Sequence, residues 1–282
     1  MQSIRITAQV LAHEIAHMWF GDLVTMKWWD DLWLNEGFAT LMMHLCVETV
    51  LPELSGIDFF LQTQGYPGFV LDSLRSSHPI NVKITSTSQI NEVFDAISYN
   101  KAAYFLRMVM NFMGADSFRN GVSHYLKSFQ YSNADYQDFL KAVQTASKDL
   151  NLLEIAQEWL LEMNFPCVSV EKTAHGFRLT QSKFLRLDFD VESSEIIWKI
   201  PLTMKRINSG KVTIEKILMD GKTMDIPHLT PDEIIIVNSG AYGFFFAVYE
   251  NDILDNIANI GNLLSDEDYF SLIVSQFMVV IF

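Results

Sequence analysis

Hydrophobic positions in the first part of the chain recur every three or four residues, the spacing of one face of an α-helix. The pattern predicts a first helix over residues 3–20 and a second from about Asp31 to Val50, with Pro52 just beyond its end. The core side of the first helix is expected to carry four apolar residues: Ile6, Val10, Ala16 and Phe20.

Glycines and prolines between residues 65 and 79 predict a looser connection that runs to about residue 90. Helical periodicity then returns from Asn91, and Gly114 is a suitable end for that helix. Three further helices are predicted, over residues 115–130, 135–147 (capped by Asn133) and 152–163.

Residues 167–249 have a different pattern, in which short runs alternate apolar and polar residues between turn pairs such as Ser209-Gly210. Strands of this length and spacing predict a small antiparallel β-sandwich. Helical periodicity resumes after Tyr249 and continues to the last residue. The predicted fold class is therefore multidomain α + β, with a mainly helical domain over 1–165, a β-sandwich over 166–250 and the start of a helical domain over 251–282.

Composition and charge restrict the partners. Of 282 residues, 49% are hydrophobic and 19% charged, which is typical of a globular protein. The net charge of -14 argues against a nucleic-acid partner and fits a cationic substrate, although solubility alone explains an acidic surface equally well. The two cysteines are too few for a disulfide framework.

Targeting signals are not evident. The amino terminus MQSIRITAQV has neither a signal peptide nor an anchor, and there is no glycosylation sequon. The longest apolar run, SLIVSQFMVVIF, is shorter than the roughly 20 residues of a membrane span. We therefore expect no membrane segment and favour a cytoplasmic location, with a membrane-anchored or secreted parent protein as the alternative.

The most informative stretch begins with His13-Glu14-Ile15-Ala16-His17 and ends with Asn35-Glu36. Eighteen residues separate His17 from Glu36. Two histidines four residues apart on a helix point the same way, so both imidazoles can reach one zinc ion. A catalytic zinc needs a third protein ligand and an open position for water. Glu36, on the following helix, could supply that ligand.

Three segments together resemble the M1 (gluzincin) family of zinc aminopeptidases. HEIAHMWFGDLVTMKWWDDLWLNEGFA matches the family's zinc-binding signature, and FDAISYNKAAYFLRM matches its Ser-Tyr-x-Lys-Gly-Ala segment. EWLLEMNFPCVSV resembles the passage from the family's catalytic domain into its β-sandwich. The FDAISY segment is especially similar to the puromycin-sensitive branch, and the aminopeptidase N group is also close.

The resemblance implies a thermolysin-like, mainly helical catalytic portion that binds one zinc ion (Zn²⁺) per chain. His13, His17 and Glu36 would be its ligands, Glu14 the general base and Tyr99 the donor of a hydrogen bond to the oxyanion. The implied reaction removes single residues from peptides with a free amino terminus. An epoxide hydrolase or an endopeptidase is a less favoured alternative.

Several positions depart from the family pattern. Met18 and Asp22 replace the usual Gln and Asn near the metal, Ala102 replaces a glycine, and Phe246 replaces an arginine, which puts the contacts of its strand in doubt. Only twelve residues precede His13, so the strand that holds the substrate amine in the family is missing. We therefore expect a fragment without the amino-terminal domain and most of the helical carboxyl-terminal domain; a weak or inactive zinc-binding product is the alternative function.

Other candidate residues carry weaker signals. His44 lies two turns beyond Glu36 and is expected to be structural, and the role of His78 does not follow from the sequence. Asp30 or Asp31 could orient a ligand histidine or could be solvated acids at a helix start. Four tryptophans are expected to pack as core around the metal helices: Trp19, Trp28, Trp29 and Trp33.

Overall fold

The computed structural model of the chain describes residues 2–54, 57–147, 150–186, 195–227 and 233–281. The chain divides into two compact units, one formed by Met1–Asp72 with Ser76–Met163 and the other by Ser73–Arg75 with Asn164–Phe282. The first unit is mainly helical and the second is built on β-sheets. The mixed α + β class is thus confirmed, while the predicted domain boundaries at 166 and 251 stay predictions.

The helical unit contains eight α-helices and one short sheet among its described residues. The helices are α1 (Gln2–His17), α2 (Trp33–Val50), α3 (Ile57–Phe60), α4 (Tyr66–Asp72), α5 (Ala102–Met113), α6 (Ala115–Phe129), α7 (Tyr136–Gln144) and α8 (Leu152–Leu161). Strands β1 (Val24–Met26) and β2 (Ser132–Ala134) pair in parallel.

The core of this unit lies around α2, which is buried on most of its sides. Phe38 of α2 is fully buried between two aromatic rings, Phe20 at a centroid distance of 4.2 Å and Phe139 at 5.1 Å. The predicted core side of α1 was half wrong. Ala16 and Phe20 are buried, but Ile6 and Val10 are each 52% exposed.

Two local predictions were wrong for identifiable reasons. The stretch around Gly65 and Pro67 is helical, because π-helical turns over Leu61–Gly65 lead directly into α4, where Pro67 lies in the first turn and needs no amide donor. Asn133 belongs to β2 and does not cap α7. Asp135 caps it, and its carboxylate accepts from the Asp138 amide at 2.9 Å.

The second unit contains two sheets. Its strands are β3 (Phe165–Thr173), β4 (Gly176–Phe184), β5 (Ile200–Asn208), β6 (Lys211–Met219), β7 (Thr223–Pro227), β8 (Ile234–Val237) and β9 (Phe246–Tyr249). One sheet has the order β7-β4-β3-β9 and the other β6-β5-β8. Every pair is antiparallel except β3 with β9, so the predicted antiparallel arrangement needs this one correction.

Phe246 occupies a position where the sequence left the strand contacts in doubt. Its ring is buried and packs edge-on against Phe165 at 4.9 Å and Phe184 at 5.0 Å. Strand β9 therefore remains bound to the sheet through an aromatic cluster, with no need for a charged side chain at this position.

The helical pattern after Tyr249 is confirmed as α9 (Asn251–Ala258) and α10 (Asp266–Ile281). Helix α10 is tied to β9, because the Ser275 hydroxyl accepts from the Ala247 amide at 3.2 Å. None of the helices in the described part of the chain is long and apolar enough to cross a membrane.

Candidate metal centre

Helix α1 presents two imidazoles from its last two turns. His13 and His17 are four residues apart, and their Nε2 atoms lie 3.1 Å from each other. The rings meet edge to face, with centroids 4.7 Å apart and an interplanar angle of 81°. The predicted convergence of the two histidines on one point is thus present.

Helix α2 brings a carboxylate to the same point. Glu36 Oε2 lies 3.3 Å from Nε2 of His13 and 3.4 Å from Nε2 of His17. The three residues form the one group of metal-ligating side chains found in the described part of the chain. All three are half-buried, so the site is accessible from one side.

The distances fit the donor set of a tetrahedral zinc ion. Zinc–nitrogen and zinc–oxygen bonds of about 2.0–2.1 Å at a tetrahedral angle place two ligand atoms about 3.3–3.4 Å apart. The three observed separations, 3.1, 3.3 and 3.4 Å, are close to this value. Three protein donors also leave one of four positions open, as in catalytic zinc sites.

The carbonyl of Phe20 fixes the tautomer of His17. His17 Nδ1 lies 3.0 Å from this oxygen, and because a carbonyl only accepts, Nδ1 must carry the hydrogen. The Nε2 lone pair of a neutral His17 then faces Glu36 and His13. Sequence reasoning missed this contact, because a backbone carbonyl leaves no signal in residue identities.

The electrostatics of the cluster favour a bound cation. Burial raises the pKa of Glu36, but hydrogen bonds from His13 and His17 outweigh it and lower the value to about 2. The hydrogen bond to Glu36 is also the main reason that the pKa of His17 is raised. The ionised carboxylate of Glu36 therefore faces both imidazoles, and its negative charge favours a proton or a metal ion bound between them.

A close helix contact positions Glu36. The next residue, Gly37, packs against Ala102 of α5, and a methyl group on Gly37 would lie only 2.7 Å from the Ala102 side chain. A side chain at position 37 would therefore separate α2 from the first turn of α5. This contact places Ala102, one of the departures from the family pattern, directly opposite the glycine of the zinc-binding signature.

Tyr99 joins the cluster from a third element. It lies in a π-helical segment, Ile97–Lys101, that leads into α5. Its ring stacks on His13 with centroids 6.1 Å apart and an interplanar angle of 9°, and its hydroxyl lies close enough to Glu36 for that carboxylate to affect its pKa. Burial and then the charge of Glu36 raise the pKa of Tyr99, so its hydroxyl remains a hydrogen-bond donor.

Glu14 has an exposed side chain on α1, next to His13. It does not contact the cluster through a hydrogen bond in the described structure, but its charge raises the pKa of both His17 and Tyr99. The Glu14 carboxylate is therefore close enough to the cluster for its charge to act on His17 and Tyr99.

The weaker candidate residues each have structural contacts of their own. His44 is buried against Phe60, with ring centroids 4.9 Å apart, and burial lowers its pKa to about 4, as expected for a structural histidine. Asp31 accepts from Trp33, Asn81 and the Tyr136 amide instead of a ligand histidine. Asp30 accepts from the Ile84 amide.

The tryptophan prediction was partly wrong. Trp33 is fully buried and Trp29 packs at the edge of the core, but Trp19 and Trp28 are 47% and 49% exposed. The indole of Trp28 donates to the Ile84 carbonyl at 2.7 Å, which explains how it is held at the surface.

Comparison with known families agrees with this geometry. Residues 1–159 match the model of the peptidase family M1 domain, which is more than half of the chain. The chain belongs to peptidase family M1. Members of this family are zinc metallopeptidases.

Three relatives of this M1 chain are similar over nearly its whole length. It is 37% identical over 267 residues to the Tricorn protease-interacting factor F2 of Thermoplasma volcanium, covering 94% of this chain and 32% of that protein. It is 36% identical over 275 residues to the alanine/arginine aminopeptidase of Saccharomyces cerevisiae (97% and 31%). It is 36% identical over 253 residues to the puromycin-sensitive aminopeptidase of Caenorhabditis elegans (88% and 26%). The chain thus spans about a third of the length of the curated relatives it matches.

Proposed function

We propose that this M1 chain carries the catalytic centre of a zinc aminopeptidase that acts on peptides with a free amino terminus. The observation that carries the proposal is the convergence of His13, His17 and Glu36 at 3.1–3.4 Å, with the Tyr99 ring stacked on His13. The names of the yeast and nematode relatives as aminopeptidases support the reaction class.

His13, His17 and Glu36 are the proposed ligands. A bound zinc ion lowers the pKa of a water molecule to about 7 and polarises a carbonyl oxygen. The Phe20 carbonyl holds His17 in the tautomer that leaves Nε2 free for the metal. The lowered pKa of Glu36 keeps its carboxylate ionised and available as a donor at neutral pH.

Glu14 and Tyr99 are the proposed catalytic residues. Glu14 accepts the proton of the attacking water and passes it to the leaving amine, a role that suits an exposed carboxylate free of structural hydrogen bonds. Tyr99 donates its hydroxyl hydrogen to the oxyanion that develops on the scissile carbonyl. Loss of one such donor typically lowers the rate by about 10²–10³-fold.

A second candidate is zinc binding with little or no catalysis. The observation that favours it is that the chain spans about a third of the length of its curated relatives.

One experiment separates the two candidates. The purified 282-residue chain is saturated with zinc, its metal content is measured, and hydrolysis of an aminoacyl-naphthylamide is followed. Catalysis that is lost with a chelator and falls about 10²–10⁴-fold in Glu14→Gln supports the aminopeptidase. Glu48→Gln, an exposed acid on α2, is the matched control and should retain full activity.

Two outcomes contradict parts of the proposal. Stoichiometric zinc without hydrolysis supports the second candidate and rejects the first for this chain. A folded chain that takes up no zinc rejects the ligand assignment itself, and therefore both candidates.

A further inference from the structure

The π-helical segment that carries Tyr99 is held at both ends by two side chains of the same unit, Asp72 and His78. At its amino-terminal end, Asp95 Oδ1 accepts from the amides of Ile97 at 2.8 Å and Ser98 at 3.4 Å. The Asp95 carbonyl accepts from the Tyr99 amide at 3.1 Å. Asp95 therefore fixes the backbone from which the Tyr99 ring projects.

The other carboxylate oxygen of Asp95 binds His78. The His78 Nε2 atom lies 2.9 Å from Asp95 Oδ2, and its Nδ1 atom lies 2.7 Å from the Pro79 carbonyl. Both partners can only accept, so both ring nitrogens carry hydrogen and His78 is an imidazolium in this arrangement. A charge-assisted pair of this kind is about twice as strong as a neutral hydrogen bond.

The carboxyl-terminal end of the segment is held by a buried ion pair. Lys101 Nζ lies 2.9 Å from Asp72 Oδ2, and both side chains are almost fully buried. The Ser77 hydroxyl donates to the other oxygen of Asp72 at 2.6 Å. Asp72 therefore holds the carboxyl-terminal end of the five-residue segment that contains Tyr99, and His78 holds the amino-terminal end through Asp95.

We propose that His78 and Asp95 are positioning residues for Tyr99, and that the charged pair keeps the tyrosine hydroxyl directed at the metal centre. The proposal rests on the proposed role of Tyr99 as oxyanion donor. It accounts for a histidine whose role the sequence left open. It also fits the π-helical geometry of the segment, which is frequent at functional sites.

The charges around the pair support this assignment. Burial lowers the pKa of His78, but the hydrogen bond that His78 donates to Asp95, together with the charges of Asp95 and Asp72, outweighs it, so the pKa is raised. Burial raises the pKa of Asp95, but the hydrogen bond that Asp95 accepts from His78 outweighs it, so the pKa is lowered. Both members are therefore charged between the ordinary pKa of Asp and that of His, and the pair is lost as the pH rises through the raised value of His78.

The test follows Tyr99 directly, without relying on catalysis. In the zinc-loaded chain, 3-fluorotyrosine at position 99 reports its surroundings by ¹⁹F NMR, and ¹⁵N labelling reports the Ile97 and Ser98 amides. We expect all three signals to shift with pH along one titration curve. That curve should disappear in His78→Gln, while His124→Gln, an exposed histidine on α6, should leave it unchanged.

A kinetic cycle tests the functional link. We expect His78→Gln and Asp95→Asn to lower kcat by about 10-fold or more with KM and zinc content unchanged, below the loss expected for Tyr99→Phe. In a Tyr99→Phe background the same substitutions should cause little further loss, because the residue they position is already disabled.

The proposal is overturned if the three signals do not titrate together, or if His78→Gln lowers kcat equally with and without the Tyr99 hydroxyl. A chain with no hydrolysis at all rejects the proposed function, but the NMR titration still decides whether His78 positions Tyr99. Asp95→Asn retains an acceptor for the Ile97 amide, which keeps the test available if a larger change prevents folding.

Discussion

The two helices that form the metal centre lie in opposite surroundings. Helix α2, which supplies Glu36, is buried on most of its sides, with Trp33 and Phe38 fully enclosed. Helix α1, which supplies both histidines, packs against α2 through Ala8 and Ala12 but exposes five large apolar side chains: Ile4, Ile6, Val10, Leu11 and Ile15.

The difference shows which half of the site depends on the global fold. Moving Glu36 requires disturbing a packed core, because at Gly37 the helix lies so close to Ala102 that an added Cβ would be only 2.7 Å from its side chain. The positions of His13 and His17 depend on the local geometry of one helix turn and on the Phe20 carbonyl. The two helices should therefore respond differently to the same kind of substitution.

The largest effect is expected for the metal. His17→Ala should reduce bound zinc from about one per chain to almost none, because a three-residue site loses one ligand. His44→Ala, a buried histidine on α2, should keep the zinc but lower the free energy of unfolding by about 2 kcal/mol. Metal analysis and urea unfolding of both variants measure the two effects. Zinc retained in His17→Ala would contradict the assignment.

Core packing should give the next largest effect. Phe38→Ala in α2 should lower the free energy of unfolding by about 3–5 kcal/mol, because it removes a fully buried ring between two aromatic neighbours. Leu11→Ala in α1, where the side chain is 57% exposed, should change it by less than about 0.5 kcal/mol. Denaturant unfolding at equal zinc content measures both. Similar losses of unfolding free energy in the two variants would contradict the difference between the buried helix α2 and the exposed helix α1.

The metal cluster was predictable from sequence because its geometry is mostly local. The four-residue spacing places His13 beside His17, and only the approach of Glu36 requires tertiary structure. The same periodicity could not tell which apolar face of α1 is covered, so Ile6 and Val10 were assigned to the core and are exposed.

Contacts that join distant segments left no comparable signal. The pairing of His78 with Asp95 depends on how residues 76–79 lie against the Tyr99 segment, and neither residue belongs to a spacing rule. The glycines and prolines near residue 65 read as breakers. In the structure Gly65 instead gives room to the Tyr104 ring, 3.0 Å from where its Cβ would lie, inside a π-helical turn.

Asp31, which lies just before α2, should also make the free energy of unfolding depend on pH. Burial raises the pKa of Asp31 to about 6, although hydrogen bonds from Tyr136, Asn81 and Trp33 oppose the shift. The folded state therefore binds a proton more tightly than the unfolded state. The contribution of Asp31 to the free energy of unfolding is complete below about pH 4 and is lost as the pH rises through about 6. The total loss is about 3 kcal/mol. Unfolding curves of wild type and Asp31→Asn between pH 4 and 7 should differ by this slope; parallel curves would contradict it.

The smallest effect is expected at the contact between α2 and α5. Gly37→Ala gains about 1 kcal/mol of helix propensity but forces a methyl group to within 2.7 Å of Ala102, an overpacking cost of about 1–3 kcal/mol. We expect a net loss of about 1 kcal/mol, which Ala102→Gly in the same chain should partly relieve, giving a measurable coupling energy. Gly221→Ala, where the nearest atom is 3.4 Å away, is the control and should show no such coupling with Ala102. If the effects of Gly37→Ala and Ala102→Gly on the free energy of unfolding are additive, the close approach does not fix the position of Glu36. Substitutions near the site would then be tolerated in the buried helix α2 as well as in the exposed helix α1.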